Sequence, residues 1–281
     1  LKTSPTSDFL LVVRWDDSES IMTDGPENET ATFMPPFLIS RQIYNRLTFE
    51  QTYLHAAATH YLRVNDHRLT YGAEYIKGES RVEDVRRNFL SFLFLPLGIE
   101  ENPPTRNEIR PHYLSLFVQD SWRVTPRLTL EGGLFYETTK DGTTVPIFSS
   151  NHFEKERVSP RLGIISHPDR ENTFRLGYAH YLQSPFITPA QLRPTDIAGF
   201  TIGQNALSGT FQKDLSLAWE RQLGPLNFLK VDFFKRKRDA QIEDVFVDSY
   251  AKKTSDFFGG GMEWNLIFND YIGLSPSYTF I

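Results

Sequence analysis

The stretch LFVQDSWRVTPRLTLEGGL, residues 116–134, decides the fold. Each half alternates apolar and polar residues, and Thr125-Pro126 separates the two halves. Alternation with a period of two is typical of a β-strand with one apolar face, and a compact turn between two such runs predicts an antiparallel hairpin. The apolar face carries Leu114, Leu116, Val118, Leu128, Leu130 and Leu134, and the other face carries Ser115, Gln119, Thr129 and Glu131, with Phe117 as the exception.

The same alternation continues along the whole chain. Helical spacing of apolar residues is nowhere sustained over three turns. The pattern therefore predicts an all-β protein of about eleven strands. The apolar positions of the other runs include Leu47, Phe49, Tyr53, Leu69, Tyr71, Ala73, Tyr75, Phe174, Leu176, Tyr178, Leu215, Leu217, Trp219, Met262, Trp264, Leu266 and Phe268.

The predicted connections alternate between short and long. Asn, Asp, Gly and Pro mark the compact turns. This alternation is typical of an antiparallel up-and-down transmembrane β-barrel, which has short periplasmic turns and long extracellular loops. The predicted turns are at 65–66, 125–126, 168–171, 224–225 and 269–270, and the predicted loops are at 21–44, 86–107, 141–153, 184–210 and 242–252.

The composition excludes several classes of protein. The 281 residues carry a formal charge of −5 and no cysteine, which excludes disulfide scaffolds, cysteine zinc sites and thiol nucleophiles and argues against nucleic acid as a partner. No apolar run approaches the ~18 residues of a membrane-spanning helix. A mean hydropathy of −0.39 is compatible with a membrane barrel, because half of each strand faces a polar lumen.

A soluble β-protein is the alternative, because its strands also alternate. The pattern of connections favours the barrel, and so do the aromatic residues near strand ends, where an interfacial girdle would lie. These aromatics are Trp122, Trp219, Tyr136, Tyr178 and Tyr271.

In a membrane barrel, the two faces of the sheet meet different surroundings. We expect Leu128, Leu130, Leu134, Leu215, Leu217, Leu266 and Phe268 to point away from the concave side, and Glu131, Arg175, Asp214, Glu220 and Glu263 to point toward it.

Several strings resemble the barrel of TonB-dependent outer-membrane receptors. Residues 116–134 are similar to the family's hairpin F-x-Q-D-x-W, a short turn, then L-T-L-x-x-G-L-R-Y, with Phe135 in place of the usual Arg. Residues 158–163 and 173–178 resemble the following hairpin, and residues 183–185 resemble the start of its outer loop. Two later strand pairs of the family have counterparts in this chain. The first is similar to residues 215–220 with 231–236, and the second is similar to residues 261–263 with 278–280.

The resemblance covers roughly residues 45–281 and implies the middle-to-late part of such a barrel. It implies a bacterial outer-membrane receptor, without enzymatic activity or cofactor, for TonB-dependent uptake of a scarce, large ligand. The implied partners are outer-membrane lipid and lipopolysaccharide, a plug domain of the same full-length chain, TonB through a preceding N-terminal region, and an unknown imported ligand. An outer-membrane anchor or adhesin barrel without TonB coupling is the alternative.

We expect residues 1–281 to form one partial barrel domain that is truncated at both ends. About eleven strands is an odd number, whereas bacterial single-chain barrels close with an even one. The first and last segments, 8–20 and 271–281, show no sign of pairing with each other. The sequence therefore predicts an open, curved sheet.

No catalytic or metal-binding motif stands out, since H-E-x-x-H and G-x-S-x-G are both absent. The predicted outer loops contain apolar runs, and exposed apolar residues often mark a binding surface. Packing of the loops on one another, or extension of strands into lipid, is the alternative. The candidate ligand-binding residues are Phe33, Phe37, Phe92, Phe94 and Phe186.

A run of four cations is the sharpest charge feature of the chain. Basic side chains where a strand leaves the outer leaflet are suitable counter-ions for lipopolysaccharide phosphates. A solvated strand end is the alternative. The candidate residues are Lys235, Arg236, Lys237 and Arg238.

Overall fold

The structure is a computed structural model that describes residues 2–4, 6–32, 38–92, 95–101, 105–144, 151–184, 192–202, 209–244, 249–269 and 272–281. The regular structure of these residues is entirely β. No helix long and apolar enough to span a membrane occurs in them. The strands are β1 Lys2–Ser4, β2 Ser7–Thr32, β3 Leu38–Val64, β4 His67–Phe92, β5 Leu95–Glu101, β6 Thr105–Ile109, β7 His112–Thr125, β8 Leu128–Thr144, β9 Asn151–Ser166, β10 Asn172–Leu182, β11 Asp196–Ile197, β12 Phe200–Thr201, β13 Phe211–Gly224, β14 Asn227–Asp244, β15 Ser249–Asn269, β16 Ile272–Leu274 and β17 Ser277–Phe280.

Fifteen of these strands form one antiparallel sheet, in which successive passes of the chain lie side by side. Strands β5, β6 and β7 pair in turn with β4 and make one interrupted pass. Strands β16 and β17 do the same against β15. When each interrupted pass is counted once, the described part of the chain crosses the sheet eleven times, with the short β1 at one edge. The predicted all-β antiparallel class is confirmed.

Antiparallel pairing of successive strands places every second connection at the same end of the sheet. Compact turns at 65–66, 126–127, 167–171 and 225–226 all lie at one end, as predicted. We call it the short-turn end. The fifth predicted turn, at 269–270, lies partly outside the described residues.

The described residues of the predicted long connections are largely extended strands. Strands β2 and β4 have 26 residues each and β3 has 27, so most described residues of 21–44, 86–107, 141–153 and 242–252 lie in strands. A membrane crossing needs only about 9–11 residues per strand. The remainder of each strand pairs with a neighbouring strand, and its backbone N–H and C=O groups gain hydrogen-bond partners there. Of the predicted loops, 184–210 keeps a described stretch outside the large sheet.

The two faces of the sheet have inverted polarity. One face buries charged side chains, among them Glu137 at 0% exposure and Glu74 at 1%. The other face leaves Leu134 exposed at 53% and Leu162 at 58%. We call them the polar face and the apolar face. Such an inversion suits a sheet whose apolar face is covered by lipid.

The predicted side-chain directions agree with this inversion. Leu134, Leu215, Leu217 and Phe268 are exposed on the apolar face, and Asp214 is buried. Phe117 is also buried, and its ring stacks on that of Phe135 from the neighbouring strand, with centroids 5.7 Å apart. The exception in the alternation is therefore an aromatic residue on the polar face.

The sheet is open among the described residues. Strand β1 lies at one edge and β16 and β17 at the other, and no ladder joins them. The predicted absence of pairing between the first and last segments is confirmed for the described residues.

Candidate functional site

A connection between β10 and β13 folds back over the polar face. Its described central part, residues 192–202, is called the inner loop below. Strands β11 and β12 lie within it and form a separate two-stranded sheet. Ala198 and Gly199 make the turn between them, with φ angles of 50° and 79°. A two-residue turn of type I′ needs positive φ at both central residues, which glycine adopts without steric cost.

Backbone hydrogen bonds close this connection at its base. The N–H of Gln183 donates to the carbonyl of Thr210 at 2.8 Å, and the N–H of Gly209 donates to the carbonyl of Gln183 at 3.1 Å. Apolar contacts then seat the inner loop on β10. They form one buried cluster of Ala179, Tyr181, Ile197 and Ile202.

Arg193 of the inner loop lies between two buried carboxylates. Its Nε is 3.2 Å from Oε2 of Glu74 on β4, and its Nη1 is 3.0 Å from Oε1 of Glu137 on β8. The guanidinium also donates to the hydroxyl of Tyr113. Burial lowers the pKa of Arg193, but its interactions with Tyr113, Glu137 and Glu74 outweigh this and raise the pKa above its usual value. Arg193 therefore remains a cation.

Glu137 receives a donor from each surrounding element. Its Oε1 accepts from the hydroxyl of Tyr113 at 3.1 Å and from Arg193 at 3.0 Å. Its Oε2 accepts from the hydroxyl of Ser159 at 2.6 Å and from the N–H of Leu182 at 2.9 Å. One carboxylate thus joins β7, β9, the end of β10 and the inner loop.

Two further buried side chains lie beside these carboxylates and the inner loop. Nε2 of His55 lies 3.0 Å from Oε1 of Glu74. Arg161 donates to the carbonyl of Pro194 in the inner loop at 2.6 Å, and its guanidinium carbon stacks 3.4 Å from the ring centroid of Phe135. Buried polar side chains need partners of this kind, because burial removes their contacts with water.

The tip of the inner loop reaches almost to the short-turn end. The N–H of Ala198 donates to Oε2 of Glu131 at 2.6 Å, and Glu131 is the fourth residue of β8. Arg175, the fourth residue of β10, donates to the carbonyl of Ala198 at 3.4 Å and holds Glu220 through two hydrogen bonds of 3.0 and 3.2 Å. Glu131, Arg175 and Glu220 lie on the polar face as predicted.

Two glycines let the inner loop approach the sheet closely. A Cβ on Gly163 would lie 3.1 Å from Ile197 and 3.2 Å from Ala198, and one on Gly177 would lie 2.7 Å from the ring of Phe200. The inner loop contacts side chains on strands from β3 to β10, so the sheet curves around it and the polar face is concave. These side chains include Thr59, Glu74, Tyr113, Glu131, Glu137, Arg161 and Arg175.

The candidate ligand-binding residues fall mostly outside the described part of the chain. Phe33, Phe37, Phe94 and Phe186 lie outside it, and Phe92 is the last residue of β4. Their role stays a prediction.

The run of four cations lies within β14 and is divided between the two faces. Arg236 donates to both carboxylate oxygens of Asp214, at 2.9 and 3.1 Å, and Arg238 donates to Gln212 at 2.8 Å, all on the polar face. Lys235 and Lys237 are exposed on the apolar face, where Lys235 pairs with Leu215. Only these two of the four cations lie on the apolar face, and contact of the run with lipopolysaccharide stays a prediction.

Sequence reasoning missed the Arg193 cluster. Arg193 is 56 residues from Glu137 and lies in a stretch without periodicity. The available signal was the presence of carboxylates on a face predicted to be enclosed, because an enclosed carboxylate needs a cation. No group of three or more His, Cys, Asp or Glu that could hold a metal ion occurs within the described residues.

Three solved structures are similar to the chain in fold. The ferric preacinetobactin receptor BauA of Acinetobacter baumannii has a TM-score of 0.60 and 14% identity, over 99% of this chain and 43% of that one. The copper transporter OprC has a TM-score of 0.59 and 13% identity, over 99% of this chain and 44% of that one. The ferric-catecholate import receptor Fiu of E. coli K12 has a TM-score of 0.52 and 11% identity, over 99% of this chain and 45% of that one. The chain thus spans less than half the length of each.

No curated protein matches the chain in sequence. A protein family does match, the one described as "TonB dependent receptor-like, beta-barrel", over residues 12–269. This match covers nearly the whole eleven-pass sheet, including the strands that carry Glu74 and Glu137. The chain therefore belongs to the family of TonB-dependent receptor-like β-barrels.

Proposed function

We propose that this chain is part of the barrel of a bacterial outer-membrane receptor that imports a scarce, large ligand by TonB-dependent uptake. The observation that carries the proposal is the inverted polarity of the sheet in a chain of this family. Apolar side chains cover the outward face, and charged side chains line the concave face. Lipid would cover the first, and a solvated passage would run along the second.

The described site supports transport rather than chemical conversion. Each carboxylate of the Arg193 cluster has a paired cation or a hydrogen-bond donor, as structural charges do. The structures of similar fold include a ferric preacinetobactin receptor and a copper transporter, so we propose a metal ion or metal complex as the class of cargo. Aromatic residues of the outer segments, Phe33, Phe37, Phe92, Phe94 and Phe186, are proposed to contact it.

The rest of the transport machinery would come from outside this chain. Residues 1–281 would be one partial barrel domain, a plug domain of the full-length protein would close the lumen, and TonB would deliver energy from the inner membrane. Lys235 and Lys237 would contact phosphates of lipopolysaccharide.

Uptake by cells tests this function. Cells that express the full-length protein, in a strain without other iron and copper receptors, are supplied with ⁵⁵Fe bound to catecholate, hydroxamate or citrate chelators, or with ⁶⁴Cu. We expect accumulation of at least one of these compounds, abolished by a protonophore or by loss of TonB. Accumulation that persists without TonB contradicts the coupling, and no accumulation of any of them contradicts the cargo class and favours an anchor or adhesin.

A further inference from the structure

We propose that Lys213, Lys235 and Lys237 form one binding site for a phosphate group of lipopolysaccharide, on the apolar face and far from the short-turn end. The inference deepens the proposed contact of β14 with lipopolysaccharide, and it rests on the proposed function only in placing the apolar face in an outer membrane. It adds Lys213 of β13 and assigns the three ammonium groups to a single phosphate. We call these three residues the lysine triangle.

The register of two neighbouring strands assembles the lysine triangle. Lys213 on β13 is directly opposite Lys237 on β14, and Lys235 lies two positions along β14, opposite Leu215. Directly opposite side chains have Cβ atoms about 4.5–5.5 Å apart, and diagonal neighbours are about 7–8 Å apart. Lysine carries its charge on a flexible four-carbon stem, so three ammonium groups at these positions can converge on one small anion. The ammonium group of Lys213 also lies 5.7 Å from the ring centroid of Phe211, a contact that leaves its charge in place.

The charge of the lysine triangle lacks full compensation within the described part of the chain. None of the three lysines forms an ion pair with a carboxylate there, whereas Arg236 between two of them pairs with Asp214 on the polar face. Asp256 of β15 is opposite Lys237 and offsets only part of the charge. Like charges at directly opposite positions destabilise a sheet. An anion from outside the chain would therefore stabilise Lys213 and Lys237 together.

The level of the lysine triangle along the strands matches the outer boundary of the apolar band. Lys237 is the eleventh residue of β14, which begins at the short-turn end with Asn227. At ~3.3 Å per residue and a strand tilt of ~40°, ten steps along the strand correspond to about 25 Å along the barrel axis, which is the height of the apolar band. Because the short turns of such barrels face the periplasm, the lysine triangle lies at the level of the outer-leaflet headgroups.

Exposed apolar side chains lie beside the lysine triangle on the same face. Leu215 and Phe258 flank Lys235 in the register, and Phe233 lies two positions further along β14. These three side chains are 46%, 68% and 50% exposed, respectively. A ligand that carries both phosphate and acyl chains can contact the lysines and this apolar surface together. A free phosphate ion would contact only the lysines, so the surface suits a phosphorylated lipid better than a soluble anion.

Binding of purified lipid A, the phosphorylated and acylated anchor of lipopolysaccharide, tests the site. The full-length protein is freed of bound lipid in detergent, and native mass spectrometry measures its affinity for each added lipid. The lipids are phosphorylated lipid A, dephosphorylated lipid A and phosphatidylglycerol. We expect phosphorylated lipid A to bind most tightly, because only it combines several acyl chains with a phosphate that the three lysines can share.

We expect Lys213→Gln to weaken the binding of phosphorylated lipid A about tenfold, a factor that corresponds to about 1.4 kcal/mol, and to leave the binding of dephosphorylated lipid A unchanged. Lys237→Gln should give the same loss, because both lysines contact the same phosphate. The matched control is Lys140→Gln, since Lys140 is also an exposed lysine of the apolar face but pairs with Glu154 at 3.3 Å. Heat-modifiable gel mobility checks that each variant is folded.

Unchanged affinity for phosphorylated lipid A in folded Lys213→Gln and Lys237→Gln, or an equal loss in Lys140→Gln, would overturn the site. If the unaltered protein binds phosphatidylglycerol or dephosphorylated lipid A as tightly as phosphorylated lipid A, the assignment to a phosphate of lipopolysaccharide is wrong. These measurements use neither a transported ligand nor TonB, so failure of the proposed uptake and failure of this site give distinct results.

Discussion

Nη1 of Arg193 lies 3.0 Å from Oε1 of Glu137, although 56 residues separate them in the chain. This ion pair fastens a connecting segment to the inside of a sheet whose outer face is apolar. Glu137 on β8 joins three other strands and the inner loop, so its removal should disturb the contacts of all of them.

Glu137→Gln should therefore destabilise the protein strongly. Removal of one partner from a buried charge cluster costs about 3–5 kcal/mol, because the remaining charges stay buried without compensation. The measurement is urea unfolding of the full-length protein in detergent micelles. Glu154→Gln is the control, because Glu154 pairs with Lys140 at 3.3 Å on the surface and such pairs contribute about 0–1 kcal/mol. A similar loss of unfolding free energy in both variants would argue against the central role of Glu137.

The apolar face should reject a charge that the polar face accepts. Leu134→Arg places a cation on the lipid side, which costs about 2–4 kcal/mol near the bilayer midplane, and Thr129→Arg places it on the opposite face of the same strand. We expect Leu134→Arg to lower the folded fraction in membranes, measured by heat-modifiable gel mobility, and Thr129→Arg to leave it unchanged. Equal tolerance would contradict lipid contact at Leu134.

Gly177 should not tolerate a side chain while the inner loop is docked. An added methyl group would lie 2.7 Å from the ring of Phe200 and 3.3 Å from the carbonyl of Ile197. We expect Gly177→Ala to cost about 1–3 kcal/mol of unfolding free energy, as overpacking does. The control is Gly132→Ala, since nothing lies within 4 Å of a Cβ there. An unchanged unfolding free energy in Gly177→Ala would mean that the inner loop moves to accommodate the added methyl group.

The lysines of β14 should retain lipopolysaccharide in a way that their arginine neighbour does not. Lys235→Gln combined with Lys237→Gln should reduce the amount of lipopolysaccharide that co-purifies with the full-length protein, measured by phosphate analysis. Arg236→Gln is the control, because Arg236 pairs with Asp214 on the polar face. It should lower stability and leave the bound lipopolysaccharide unchanged, and an equal loss in both proteins would contradict the assignment.

The sequence by itself determined the class of fold, the order of strands and the direction of most side chains. Alternation is a local property, since successive Cβ atoms of a strand point to opposite faces, and the turn residues act within a few positions. The placement of Leu134, Glu131 and Arg175 followed directly from this. The length of the hairpins did not follow from the sequence. Where strands continue to pair beyond the apolar band, the residues show no distinct local pattern.

Only the tertiary structure decided what lies on the concave face. Arg193 stands in an aperiodic connection, and its partners Glu74 and Glu137 belong to strands far away in the chain. The division of the basic run is an intermediate case: alternation separates Lys235 and Lys237 from Arg236 and Arg238, but the partner Asp214 comes from cross-strand register. Strand periodicity specifies which face a side chain occupies. Packing across the concave face specifies which distant group that side chain contacts.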